Sequence, residues 1–312
     1  MNDKVLELEN VTKRFGDFTA VHDVSLAIPR GSIYGFLGQN GAGKTTTIRM
    51  IFDIIKPSSG RITILGASSA LEVRPRIGYL PEEKGLYKAM TAVATIAYFA
   101  TLKGMSRVAA KQRARELLER YGLAQFADSK IQTLSKGMSQ KVQVICAIAH
   151  NPEFVVLDEP FSGLDPVNQQ VLEQLIRDLA QRGSTVIFST HVMQHAERLC
   201  DRLLLIAKGR KIFDGTVAGA KATIPRRVLI STESSIDPLT TLEGVAEVKP
   251  VGPPAAAPGP KDWEIRLRGQ TSAQAILEKC FQSGIVLSRF DHSEPSLHDA
   301  FVALVGGNEE RT

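Results

Sequence analysis

Apolar and polar positions alternate along the chain just after Lys4, as in a strand with one buried face. An uninterrupted apolar run at 33–37 then predicts a fully buried strand, and the stretch 45–55 predicts a helix. The most apolar helical stretch is 89–102, inside a helix-rich segment, 91–123, whose part 113–120 is amphipathic with its charges outward. A further helix opens at Leu134–Gln140 and runs towards His150, and two short apolar runs, 154–157 and 185–188, read as buried strands. The order points to an α/β fold around a parallel sheet. From about residue 221 the texture changes. Strands are predicted at 227–231, 245–248, 263–267 and 286–290, a helical turn at 239–242, and helices at 272–282 and 296–305. That order suggests a split βαβ sandwich, so a small α+β domain over 221–312 follows a larger one over 1–220. Ser296–Asp299 has the form of a capping box, and the proline- and glycine-rich stretch 250–260 reads as a flexible hairpin tip.

Composition narrows the class. At 312 residues with 43% hydrophobic content, the chain is large enough for one large and one smaller core. It should be soluble: no stretch approaches the roughly 18–20 apolar residues of a spanning helix, and the start does not resemble a signal peptide. Cys146, Cys200 and Cys280 are few and scattered, which argues against a disulfide framework or a zinc site and for a reducing compartment. A net charge of +5 permits contact with anionic lipid or nucleic acid without choosing between them.

Chemistry enters at residues 38–46, Gly-Gln-Asn-Gly-Ala-Gly-Lys-Thr-Thr. This is P-loop spacing between a strand and a helix, and it predicts nucleoside triphosphate binding. Gly38, Asn40, Gly41, Ala42 and Gly43 supply backbone N–H groups that converge on phosphate oxygens. Lys44 suits the β- and γ-phosphates, Thr45 offers a hydroxyl to Mg²⁺, and Thr46 continues the cradle at the positive end of the helix. The strand at 154–157 ends in Asp158-Glu159, two carboxylates at the edge of the parallel sheet. Asp158 suits an outer hold on Mg²⁺, and Glu159 suits the general base for the attacking water. Ser135 is placed as an N-cap with Gly137 leaving the backbone bare, so the helix after Leu134 offers a second phosphate-binding end.

With these three elements in this order the chain resembles the ATP-binding subunits of ABC transporters, and the resemblance covers roughly residues 4–220. Ser135-Lys136-Gly137 looks like the signature, Ser162-Gly163-Leu164-Asp165 like the D-loop, and His191 like the switch histidine after its strand. Glu82 stands at the Q-loop position near the metal, and Phe15 where an aromatic stacks on adenine. The resemblance implies a P-loop ABC ATPase fold with a helical subdomain at about 88–150, using ATP and Mg²⁺. The tail resembles the accessory domain of ABC-2-type exporters of the sodium- or drug-extrusion kind. Three positions depart from the family pattern: Phe15 replaces tyrosine, Glu82 replaces glutamine, and Lys136 replaces a signature glycine.

The family mechanism implies two copies paired head to tail, each P-loop facing the other's signature. Membrane permease subunits, which contact the cargo, would be driven from the cytoplasmic face of the plasma membrane, with no nucleic acid expected. A non-transport ABC ATPase acting on nucleic acid or ribosomes is the alternative, and a nucleotide-binding regulator without turnover is opposed by Glu159. His191 and His195 have the spacing of a zinc pair, but no glutamate directly follows His191 and a strand precedes it, so a γ-phosphate contact is favoured. His195 is expected to be a solvated helix residue, and His22 and His150 to be structural.

Overall fold

The computed structural model describes residues 4–83, 85–251, 260–269, 271–292 and 294–309. The chain divides into two compact units, Met1–Val217 and Ala218–Thr312, three residues ahead of the boundary read from the sequence.

In the first unit, β1 (Lys4–Phe15) and β2 (Phe18–Pro29) form an antiparallel hairpin. β3 (Ile33–Leu37) then leads through the P-loop into α1 (Lys44–Ile51). β4 (Ser59–Ile64) pairs with the other side of β1, giving a three-stranded sheet in the order β2-β1-β4. α1 stops four residues short of the predicted helix end. Asp53 takes a left-handed backbone, φ 57°, and its carboxylate accepts from Ser69 Oγ, the Ala70 N–H and Lys56 Nζ, which draws the chain out of the helix ahead of Pro57.

β5 (Ile77–Leu80) precedes three helices, α2 (Ala92–Leu102), α3 (Arg107–Arg120) and α4 (Lys136–Ile148). Each starts on a hydroxyl that accepts a backbone N–H three residues on: Thr91, Ser106 and Ser135. Their apolar faces, including Ile96 of α2, Leu117 of α3 and Ile145 of α4, are buried, and the charged face of α3 is largely outward as expected.

The remaining elements of this unit are β6 (Phe154–Leu157), α5 (Pro166–Gln181), β7 (Thr185–Thr190), α6 (Met193–Leu199), β8 (Arg202–Ala207) and β9 (Arg210–Thr216). They complete a six-stranded sheet in the order β5-β6-β7-β3-β8-β9. All neighbours are parallel except β8 and β9. One core joins both sheets to α1, with Leu6, Leu8 and Ile28 meeting Tyr34, Phe36, Val156 and Ile48. Burial of each such side chain contributes roughly 1.5–3 kcal/mol. Because β5, β6, β7 and β3 run the same way side by side, the loops after them open at one edge, where ligands of such sheets bind.

The second unit begins one residue into α7 (Val217–Lys221). It contains β10 (Arg227–Thr232), α8 (Asp237–Thr240), β11 (Val245–Pro250), β12 (Lys261–Leu267), α9 (Ala273–Gln282), β13 (Leu287–Asp291) and α10 (Leu297–Glu309). The order β11-β12-β10-β13, antiparallel throughout, is the split βαβ arrangement expected from the sequence. Its core gathers Val228, Ile230, Leu239, Ile265, Ile276 and Cys280. α8 begins two residues earlier than predicted because Pro238 suits its first turn. The capping box is present: the Ser296 N–H donates to Asp299 Oδ2 at 3.0 Å and the Asp299 N–H to Ser296 Oγ at 3.1 Å. Of the expected hairpin tip at 250–260, residues 252–259 lie outside the described residues.

Candidate nucleotide site

The P-loop is shaped by two close approaches. A Cβ on Gly38 would strike the Ile206 carbonyl, and Gly43, at φ 104°, leaves no room beside the Ala20 carbonyl. Gly43 is also the N-cap of α1 and offers no side-chain cap, so the first amides of the helix stay open to an anion. Gly38, Ala42 and Gly43 are buried, Asn40 and Gly41 exposed, and Thr45 and Thr46 half-buried. Lys44 is buried; its Nζ donates to the Gly38 carbonyl at 2.7 Å and the Gln39 carbonyl at 3.2 Å. Phe15 is half exposed at the end of the β1–β2 hairpin, paired with Phe18, and Lys13 Nζ stands 5.0 Å from its ring centre.

β6 delivers Asp158 and Glu159 beside this loop, and β7, between β6 and β3, delivers His191. Asp158 is buried and its Oδ1 accepts from Ser189 Oγ at 2.5 Å. Its Oδ2 is buried with no hydrogen-bond partner among the described residues, while the Thr45 hydroxyl lies close by. Burial raises the Asp158 pKa from its ordinary value against the hydrogen bond from Ser189 and the nearby Thr45 hydroxyl, and the charges of Glu82 and Glu159 push the same way as burial. An uncompensated buried carboxylate oxygen near a hydroxyl and a P-loop lysine fits a divalent cation held together with phosphates.

Glu159 has a left-handed backbone, φ 47°, which places its side chain opposite the P-loop. Lys44 Nζ lies 3.5 Å from Glu159 Oε1, and His191 Nδ1 lies 3.1 Å from both Glu159 oxygens. Since a carboxylate only accepts, Nδ1 carries the hydrogen and Nε2 is left for another partner. Glu82, after β5, is exposed and acts electrostatically on Asp158, so Thr45, Asp158 and Glu82 share one edge.

Ser135, Gly137 and Asp165 form a second group. Ser135 Oγ caps α4, accepting from the Met138 N–H at 3.2 Å, and Asp165 Oδ1 caps α5, accepting from the Asn168 N–H at 3.0 Å. The Asn168 amide occupies the space a Cβ on Gly137 would need, and the Lys136 ammonium lies against Gly163. A bond from Gln140 Nε2 to the Pro160 carbonyl, 3.2 Å, ties α4 to the turn that follows Glu159.

The structure overturns one histidine expectation. His195 is buried, not solvated: its ring stacks on Phe161 with centres 4.1 Å apart and planes 13° from parallel. The reason is the direction of α6, which turns this side chain towards α5 and Glu173. His150 is structural, with Nε2 3.0 Å from the Ile77 carbonyl. The motif reading passed over Ser189 and Gln140 as individual groups; the signal for Ser189 was a small polar residue closing an apolar strand.

A family model described as ABC transporter matches residues 21–162. An uncharacterized ABC transporter ATP-binding protein, YhaQ of Bacillus subtilis (strain 168), is 37% identical over 303 residues, covering 97% of this chain and 99% of the relative. The chain belongs to the ATP-binding proteins of ABC transporters. The linearmycin resistance ATP-binding protein LnrL of the same organism is also 37% identical, over 97% of this chain and 98% of its own length. Among solved structures, the ATP-binding cassette MJ0796, a post-hydrolysis dimer bound to ADP and Pi, aligns with a TM-score of 0.63 and 28% identity. That alignment covers 68% of this ABC chain and 98% of the cassette. The P-loop, Asp158 and Glu159 all fall within the matched span, so ATP is the ligand this ABC site is built for. No helix among the described residues is long and apolar enough to cross a membrane.

Proposed function

We propose that this ABC ATP-binding chain hydrolyses ATP with Mg²⁺ to drive an exporter, working as a head-to-tail homodimer beneath permease subunits on the cytoplasmic face of the plasma membrane. The observation that carries the reading is the convergence of Lys44, Asp158, Glu159 and His191 on one sheet edge. Lys44 neutralises phosphate charge, Glu159 accepts a proton from the attacking water, and His191 contacts the γ-phosphate through its outward nitrogen. Bound Mg²⁺, held through Thr45 with Asp158 and Glu82 behind it, would offset phosphate charge. The signature group at Ser135 and Gly137 and the D-loop Asp165 face a second copy in this reading, and Phe15 serves the adenine. The resistance role in the name of LnrL and the ADP-bound dimer of MJ0796 support export and pairing.

An apolar groove of about 440 Å³ beside the Glu82 loop supports a permease contact; Tyr79, Leu86, Phe99, Leu102 and Ala147 line it. The accessory unit, 221–312 in the sequence reading, carries no part of the ATP chemistry in this reading. The test is Mg²⁺-dependent release of phosphate from ATP by the purified chain, with size-exclusion chromatography of Glu159→Gln plus ATP. Turnover in the wild type and a dimer in the variant are expected. No turnover, or a variant that stays monomeric, would overturn the reading.

A further inference from the structure

Glu159 begins a turn, 159–163, that holds few bonds of its own. Pro160 has no N–H to give, and the Ser162 N–H reaches the Glu159 carbonyl at 3.2 Å. A left-handed non-glycine residue persists only when its surroundings impose it. Three outside anchors do so here. Ser189 Oγ accepts the Glu159 N–H at 2.9 Å, Gln140 holds the Pro160 carbonyl, and Phe161, the one large apolar side chain of the turn, is pinned from two sides. Phe188 of β7 meets the Phe161 ring edge to face, centres 5.7 Å apart, and His195 of α6 lies flat against it.

The imidazole is itself held. Arg198 Nη2 lies 2.7 Å from Glu173 Oε1, and His195 Nδ1 lies 3.3 Å from Arg198 Nη2 and 3.5 Å from Glu173 Oε1, so the ring edge is held by an arginine–glutamate pair. Burial pushes the His195 pKa down, in keeping with a neutral ring. Glu173 is buried on α5, the helix that Asp165 caps. Phe188 and His195 thus flank His191 in the chain, and both grip the turn that carries Glu159.

We propose that His195 is a positioning residue for ATP hydrolysis: its stack on Phe161 holds the 159–163 turn and so aims the Glu159 carboxylate. This rests on Glu159 being the base. The stack also links the segment bearing His191 to the turn bearing Glu159, so displacement of one is carried to the other.

Two variants of the full chain separate the stack from the polar contact. His195→Phe keeps a flat ring on Phe161 and loses Arg198; His195→Gln keeps a polar group and loses the ring. Misplacement of a catalytic group by about an ångström lowers turnover roughly ten- to hundredfold. His195→Gln should therefore lower kcat by that factor while the Kd for an ATP analogue changes less than about twofold. His195→Phe should hold kcat within about threefold of wild type. Amide hydrogen exchange over 161–164 in the nucleotide-free chain, which needs no turnover, should rise in His195→Gln and stay near wild type in His195→Phe. Unchanged exchange in His195→Gln, the opposite order of the two variants, or equal loss of kcat and nucleotide affinity would overturn the proposal. Absence of wild-type turnover would count against Glu159 as base, while the exchange comparison still decides whether His195 holds the turn.

Discussion

The Lys44 ammonium stands 3.5 Å from Glu159 Oε1, and both side chains are buried. The Lys44 cation is shared between the P-loop carbonyls and the residue proposed as base. Removing one partner of a buried pair leaves the other uncompensated, a loss of roughly 3–5 kcal/mol when burial is complete and less where His191 still contacts Glu159. Lys44→Ala should therefore abolish nucleotide binding and also lower the melting temperature. Lys44→Ala/Glu159→Gln should regain stability without regaining binding. Thermal denaturation alongside titration with a fluorescent ATP analogue checks both, and a double variant no more stable than the single would show that the pair carries no folding energy.

Glu82 is exposed, and its charge raises the proton affinity of Asp158 across the sheet edge. A carboxylate here opposes phosphate unless a cation intervenes. Glu82→Gln should hydrolyse ATP at least as fast as wild type in steady-state assays of the isolated chain. A hundredfold loss, about 2.7 kcal/mol of transition-state stabilisation, would make Glu82 a participant in the chemistry instead.

His150, between the end of α4 and β5, is held neutral: burial pushes its pKa down to about 4, against the hydrogen bond to the Ile77 carbonyl. The unfolded imidazole gains its proton as pH falls through about 6.5, while the native one does not until about 4. Protons then favour the unfolded chain across that window, so the contribution is complete above about pH 6.5 and is lost on acidification. The shift bounds the effect at about 3 kcal/mol. Denaturant midpoints should rise from pH 4.5 to 7, and His150→Asn should flatten that rise; an equally steep rise in the variant would remove His150 as its cause.

The second unit has its own core and its own sheet, and none of the candidate site residues named above belongs to it. A 1–220 fragment should keep the nucleotide affinity of the full chain, within about threefold. Weaker ATP-dependent dimerisation of the fragment, read by light scattering at matched concentrations, is expected if the tail braces the pair. Loss of ATP binding by a folded fragment would mean that the tail completes the site.

Local chemistry made much of this molecule readable from its residues. Gly38 to Thr46 form the glycine turn into α1 that was read from the sequence, because glycine spacing and a helix start act over nine consecutive positions, and Ser135, Ser272 and Ser296 cap their helices through bonds that reach only three residues ahead. Alternation and apolar runs placed β1, β3, β6 and β7 and the four strands of the tail with its split βαβ order, since side-chain period is set by the backbone of each element, while β2, β4, β5, β8 and β9 were not read from the sequence. Helix α1 ended early because its stop depends on Asp53 meeting Ser69 and Ala70, contacts no local window contains.

The same limit governs the site. That Lys44 pairs with Glu159, that Ser189 bridges Asp158 to the Glu159 backbone, and that Asp158 Oδ2 has no hydrogen-bond partner among the described residues follow from β3, β7 and β6 lying close together in one sheet. His195 shows the difference most sharply. Its place on a helix was legible, but whether it met water or Phe161 depended on how α6 packs against α5 and the turn after β6. Sequence determines which groups a segment can offer; which of them lose water and find each other is decided by packing between segments far apart in the chain.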